Sequence, residues 1–132
     1  MSSLWVPEDD DIEGGWYFTI EEMKCTHTGI CYMSNDFMIA LNDLRNLYGK
    51  PIEISSGFRD GAHPIEAAKG QGKSGVHAQG TAADIRCSGH EAHKLLQLIM
   101  SLNVFTGIGI SQKGPHKSRY IHVDMGEGLQ FM

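Results

Sequence analysis

The segment Tyr120-Ile121-His122-Val123-Asp124-Met125 alternates polar and apolar side chains with period two. Successive side chains of a strand point to opposite faces. Ile121, Val123 and Met125 therefore share one face, and Tyr120, His122 and Asp124 share the other. A chain with such a strand must build a sheet that buries one side and carries an imidazole and a carboxylate together on the other. From this segment alone, the polar face reads either as a site or as the solvated side of an edge strand.

The remaining elements follow from caps and periodicity. Thr19-Ile20-Glu21-Glu22 has the form of a capping box and predicts a short helix running into Met23. Ser34 caps a second helix over Asn35 to Tyr48, with Phe37, Met38, Leu41, Leu44, Leu47 and Tyr48 on its apolar face and Gly49 and Pro51 ending it. Ser88-Gly89-His90-Glu91 has the same capping pattern and opens a helix to about Leu102, with Ala92, Leu95, Leu96 and Ile99 as its buried stripe. Strands are expected near 52–55, 82–86, 106–110 and 120–125. Residues 57–80 carry no sustained period and form a long irregular stretch, which inside a domain points to function or disorder. Residues 1–15 read as a loose, acidic N-terminal arm and 16–132 as one domain.

With 132 residues, 41% hydrophobic and 20% charged, the chain can bury a core without staples and is neither fibrous nor disordered. A net charge of -5 argues against nucleic acid as partner, and no apolar run is long enough to span a membrane. Three cysteines do not form an oxidised framework, and no basic segment leads into an apolar one, so a protein made in the cytoplasm without a signal peptide is expected. Seven histidines are the more informative count, because two of them bracket a carboxylate.

His77 lies in the irregular stretch and Asp84 in the strand that follows, with Gly80 turning the chain between them. His77, Asp84 and His122 make a three-ligand set with a fourth position left for water or substrate. Imidazole nitrogens with one carboxylate suit zinc better than calcium or magnesium, which prefer all-oxygen sites. A glycine-rich loop with scattered histidines also arises without any metal.

The pattern His77-x-x-Gly80-x-Ala82-x-Asp84-Ile85 followed by Ile121-His122-Val123-Asp124 resembles the metal signature of zinc D-alanyl-D-alanine carboxypeptidases. That group includes D-Ala-D-Ala dipeptidases and phage L-alanoyl-D-glutamate endopeptidases, and shares its zinc-site fold with hedgehog signalling domains. Ile54-Ser55-Ser56-Gly57-Phe58-Arg59 resembles the Ser-Gly-Tyr-Arg segment of these enzymes, and Gly107-Ile108-Gly109 their Gly-x-Gly strand. The resemblance covers roughly residues 18–126. It implies zinc ligands at His77, Asp84 and His122, and an arginine at Arg59 that steadies the oxyanion of the scissile carbonyl.

Two departures from the pattern stand out. Gly75 occupies the place of a substrate-binding serine, with Ser74 one residue earlier, and Arg119 occupies the place of an acidic general base. The base then falls to His116, while Asp124 either orients an imidazole or acts as base itself. Cys25, His27 and Cys31 match no trusted zinc motif; a disulfide, a second metal and free thiols all remain open. His63 is either a substrate contact or a solvated loop residue, His90 and His93 are expected on a helix surface, and Lys69, Lys73, Lys113 and Lys117 flank the cleft segments.

The fold expected is α+β, a small and mostly antiparallel sheet with helices on one side and the zinc site on the open face, as in the hedgehog/DD-peptidase fold. The resemblance implies a monomeric zinc metallopeptidase, a DD-carboxypeptidase or endolysin-type endopeptidase. Its substrate would be the peptidoglycan stem peptide, cleaved next to D-amino acids, with no nucleic acid or membrane partner. A phage-encoded enzyme reaching the cell wall through a holin or on the virion fits this picture. The alternative is a non-catalytic zinc-binding module of the same fold.

Overall fold

Thr19 opens the first helix as its sequence indicates. Its hydroxyl accepts from the Glu22 amide at 3.3 Å and Glu22 Oε1 accepts from the Thr19 amide at 3.1 Å, closing the capping box over α1 (Ile20–Met23). The computed structural model describes residues 3–8, 12, 14–60, 62–68 and 75–126. The Ser34 hydroxyl caps α2 (Asn35–Tyr48), which ends at Gly49 with φ 76°. One turn, α3 (Pro64–Ala67), interrupts the stretch expected to be irregular; its leading Pro64 has a ring that presets φ for a first helical position.

Helix α4 (Gly89–Leu102) begins after Ser88 without the expected side-chain cap. Glu91, the partner a capping box needs, is committed elsewhere: it accepts from the Tyr48 hydroxyl and, at 2.6 Å, from the Lys50 ammonium. The stripe of α4 is buried at Ala92, Leu95 and Ile99, as its period indicates. On α2 the buried arc is rotated from the expected one. Leu47 is 54% exposed while Asn42 is buried. Residues 15–17 run over α2 at that point, where Asn42 accepts from the Tyr17 amide and donates to the Gly15 carbonyl.

Four strands, β1 (Glu53–Ser56), β2 (Ala82–Arg86), β3 (Gly107–Ser111) and β4 (Tyr120–Asp124), form one sheet in the order β1-β2-β4-β3. Every neighbouring pair is antiparallel. Ala83 and Ile85 of β2 and Ile121 and Val123 of β4 are fully buried in a core shared with Phe37, Leu41, Leu95 and Ile99 of the two long helices. The opposite face carries Asp84, His122 and Asp124. The pairing of β1 with β2 slips between Ile54 and Ser56, which sets Ser56 opposite Asp84. Such a bulge re-aims the strand that leaves it, here sending Gly57–Arg59 toward the polar face.

The arm expected to be loose packs where it is described. Trp5 is 2% exposed, its amide donates to the Met33 carbonyl, and its ring meets Trp16 edge-on at 5.7 Å. Composition misled here because one aromatic anchor outweighs an acidic surround. Lys69, Lys73 and Ser74 lie outside the described residues, as do 1–2, 9–11, 13 and 127–132. All three cysteines are free thiols, so Cys25 and Cys31 form no disulfide. Cys31 is half-buried, and burial pushes its thiol up to about 11. Among the described residues no helix is long and apolar enough to cross a membrane.

If the arm belongs to the core, Trp5→Ala lowers unfolding stability by about 3–5 kcal/mol, the scale for deleting a buried aromatic. Urea unfolding followed by circular dichroism measures this; an unchanged midpoint would mean the arm contributes nothing.

Candidate metal centre

The register of β2 against β4 sets Asp84 directly across from His122. Directly opposed residues have Cβ atoms about 4.5–5.5 Å apart, so the pairing alone brings carboxylate and imidazole together. His122 Nδ1 lies 2.8 Å from Asp84 Oδ1. On its other side His122 Nε2 lies 2.7 Å from Asp124 Oδ2, and the second Asp124 oxygen accepts from the Gly126 amide at 3.2 Å.

His77 arrives from a turn rather than a strand. Its Nδ1 stands 2.8 Å from the Gly57 carbonyl, which only accepts, so Nδ1 donates there and Nε2 is the nitrogen turned toward the cluster. That Nε2 is 3.3 Å from Asp84 Oδ1. Two close approaches fix the turn. Gly80 has φ 73°, and a Cβ there would stand 2.0 Å from the Tyr32 carbonyl oxygen; a Cβ on Gly57 would stand 2.6 Å from the Met23 carbonyl oxygen. Neither place admits a larger residue, and together they hold His77 over the sheet at 5% exposure.

Among the described residues, the ligand atoms of His77, Asp84 and His122 all lie within 4.8 Å of one another. The donor set fits a zinc ion. It offers two imidazole nitrogens and a carboxylate, and each imidazole is anchored at its far nitrogen by an acceptor, Gly57 O for His77 and Asp124 Oδ2 for His122. Anchoring of this kind orients metal-ligating histidines and raises their basicity.

Charge is balanced closely around Asp84. Burial alone would raise its carboxyl, but hydrogen bonds from His122 and His77 outweigh that and hold it well below the usual carboxylate range. The Asp84 hydrogen bond in turn raises His122 against the effect of burial, with Asp124 adding to it. Arg59 Nη2 is 3.5 Å from Asp84 Oδ2, and Arg59 Nε donates to the Ser56 hydroxyl at 3.1 Å. The guanidinium is thus a cation fixed at the rim of the cluster.

The structure brings together five of the six site residues read from the sequence. His116 is the exception: it is exposed at the head of a 3-10 turn (His116–Ser118) and lies outside the cluster. Arg119 is on the helix side of the sheet, lining a groove with Leu96, Ile110 and Ile121, and its Nε donates to the Gly114 carbonyl. His63 lines one pocket with Arg59, where its Nδ1 accepts from the Ile65 amide and its ring meets His27 edge-on. Cys25, His27 and Cys31 form no metal-holding group among the described residues. His90 and His93 are on the exposed surface of α4, and Lys113 and Lys117 are exposed. Sequence reasoning missed the Gly57 carbonyl and the Ser56 hydroxyl as anchors. Ser56 stood inside a recognised motif; a backbone carbonyl leaves no trace in residue identity.

A family model described as Peptidase M15 matches residues 16–124. No curated protein and no solved structure matches the chain.

The two shifts set a pH profile for protein stripped of metal by a chelator. His122 titrates higher folded than unfolded, where its value is about 6.5; its stabilisation is full below that pH and is lost as pH rises through the folded value. Asp84 titrates lower folded than its unfolded value of about 3.9; its stabilisation is full above that pH and is lost as pH falls through the folded value. The thermal midpoint should be highest between about pH 4 and 6.5 and decline on the alkaline side. In His122→Ala protein the alkaline decline should disappear; a decline of the same size there would assign it to another group.

Proposed function

The chain belongs to the M15 peptidase family, and from that premise we propose a zinc peptidase that hydrolyses peptidoglycan stem peptides next to D-amino acids, as a DD-carboxypeptidase or an endolysin-type endopeptidase. One observation carries the reading. His77, Asp84 and His122 converge on the open face of the sheet with both imidazoles anchored from behind. Zinc held there supplies Lewis acidity, polarising a carbonyl oxygen and acidifying a water.

The chain's own groups then divide the work. Arg59 presents a fixed, permanently charged guanidinium beside the cluster, where negative charge develops on the scissile carbonyl oxygen. Asp124 is a positioning residue: one oxygen holds His122 Nε2 and the other the Gly126 amide, which leaves it poorly placed to take a proton from water. The proton goes to His116. In support, both carboxylates of the cluster are committed and Arg119 faces the helices. An imidazole is a side chain suited to base catalysis at neutral pH. This reading requires the turn at His116–Ser118 to move over the cluster when substrate binds.

The enzyme acts as a monomer on the bacterial cell wall, in the manner of a phage endolysin. Its net charge of -5 disfavours nucleic acid.

Digestion of purified peptidoglycan with mass spectrometry of the products tests this function. Peptides cut beside a D-residue are the expected result. A protein that takes up zinc and releases nothing from any peptidoglycan type is instead a non-catalytic module of this fold. Arg59→Lys should keep zinc and thermal midpoint while lowering kcat, because lysine lacks the planar fork; unchanged turnover would remove Arg59 from the transition state. His116→Ala should lower kcat by about 10²–10⁴-fold with zinc retained. A fully active His116→Ala enzyme would place the base elsewhere.

A further inference from the structure

Asp124 holds His122 in an unusual way, because the two residues belong to one strand. Residues two apart on a strand share a face but sit about 6.5–7 Å apart along it, and strand side chains stand roughly perpendicular to the sheet. To bring Oδ2 within 2.7 Å of His122 Nε2, the Asp124 carboxylate must lie down over the sheet. The register shows where it lies. Asp124 is flanked by Ala82 on β2 and Gly107 on β3, and His122 by Asp84 and Gly109.

A Cβ added to Gly107 would stand 2.2 Å from Asp124 Oδ2, 2.5 Å from Oδ1 and 2.6 Å from Cγ. The carboxylate occupies the space that a side chain at 107 would fill. Gly107 is not among the glycines with positive φ, so its backbone does not require glycine and space is the remaining reason. At Gly109 the added Cβ would meet His122 Cβ at 3.3 Å and its Cγ and Cδ2 at 3.9 Å, a tight contact that a few tenths of an ångström relieve. The two glycines of one short motif are therefore unequal.

We infer that Gly107 is a positioning residue of the metal centre: its missing side chain is the slot in which the Asp124 carboxylate lies to hold the His122 imidazole. The inference rests on the proposed metal reading for its consequence and on the geometry alone for its existence. The atoms that a methyl at 107 would strike are the far end of a side chain that can rotate away. Gly107→Ala is thus expected to keep the sheet and lose the clamp.

A double-mutant cycle read by zinc competition with a chelator tests this, because coupled residues fail to add. Gly107→Ala and Asp124→Ala should each weaken zinc affinity about 10–100-fold, the scale for losing a group that orients a ligand. Gly107→Ala placed on Asp124→Ala should cost nothing more, and Gly109→Ala alone should cost far less. Wild-type affinity in Gly107→Ala, or losses that multiply in the double variant, would overturn the inference. Should Gly107→Ala fail to fold, Asp124→Ala in the same chain is expected to restore folding; failure of the pair also overturns it. NMR of the His122 ring in chelator-treated protein separates this from the metal reading. The Nε2 proton bonded to Asp124 should be visible in wild type and absent in Gly107→Ala whether or not zinc binds. Its persistence in the variant would overturn the slot, whereas a wild type that binds no zinc overturns the metal reading alone.

Discussion

The cross-strand pair of Asp84 and His122 is the contact on which the rest of the site depends. It exists because β2 and β4 run antiparallel in a register that sets these two residues face to face. A slip of β4 by one residue would turn His122 to the helix side, away from Asp84. What prevents the slip is on the other face: Ile121 and Val123 are fully buried against the helices and would be thrown into solvent by it. The core thus sets the register, and the register assembles the cluster. The polar face need not stabilise the fold for its geometry to be fixed.

Around that pair the chain builds outward by backbone approach more than by side-chain bulk. Glycine at 57 and 80 lets the turn bearing His77 settle against residues 23 and 32. The bulge in β1 presents Ser56, and through it Arg59, to the same face. The result is a sheet face on which two imidazoles, two carboxylates and a guanidinium lie within contact range. Each imidazole is tied at one nitrogen and directed at Asp84 with the other. Such a concentration of partly buried charge is unfavourable unless every group is paired, and here Asp84 is contacted by His77, His122 and Arg59 together.

Much of this was legible in the sequence, for physical reasons. Helices α2 and α4 were legible because their apolar residues recur at helical spacing and carry caps. Strand β4 was legible because its alternation admits one assignment of faces. The cluster of His77, Asp84 and His122 was legible because its members are side chains. What escaped was of three kinds. Trp5 and Asn42 owe their burial to a segment from elsewhere in the chain, which local periodicity cannot see. The Ser88 cap was lost to competition, since Glu91 found Tyr48 and Lys50. The Gly57 anchor is a carbonyl, common to all residues.

The central claim is that His77, Asp84 and His122 act together as one metal site. Zinc content after equilibrium dialysis, compared between wild type and His122→Ala, tests it most directly. The account requires one zinc per wild-type chain and near-complete loss in the variant, since removing one of three ligands weakens a zinc site severely. Stoichiometric zinc remaining in His122→Ala protein would contradict it.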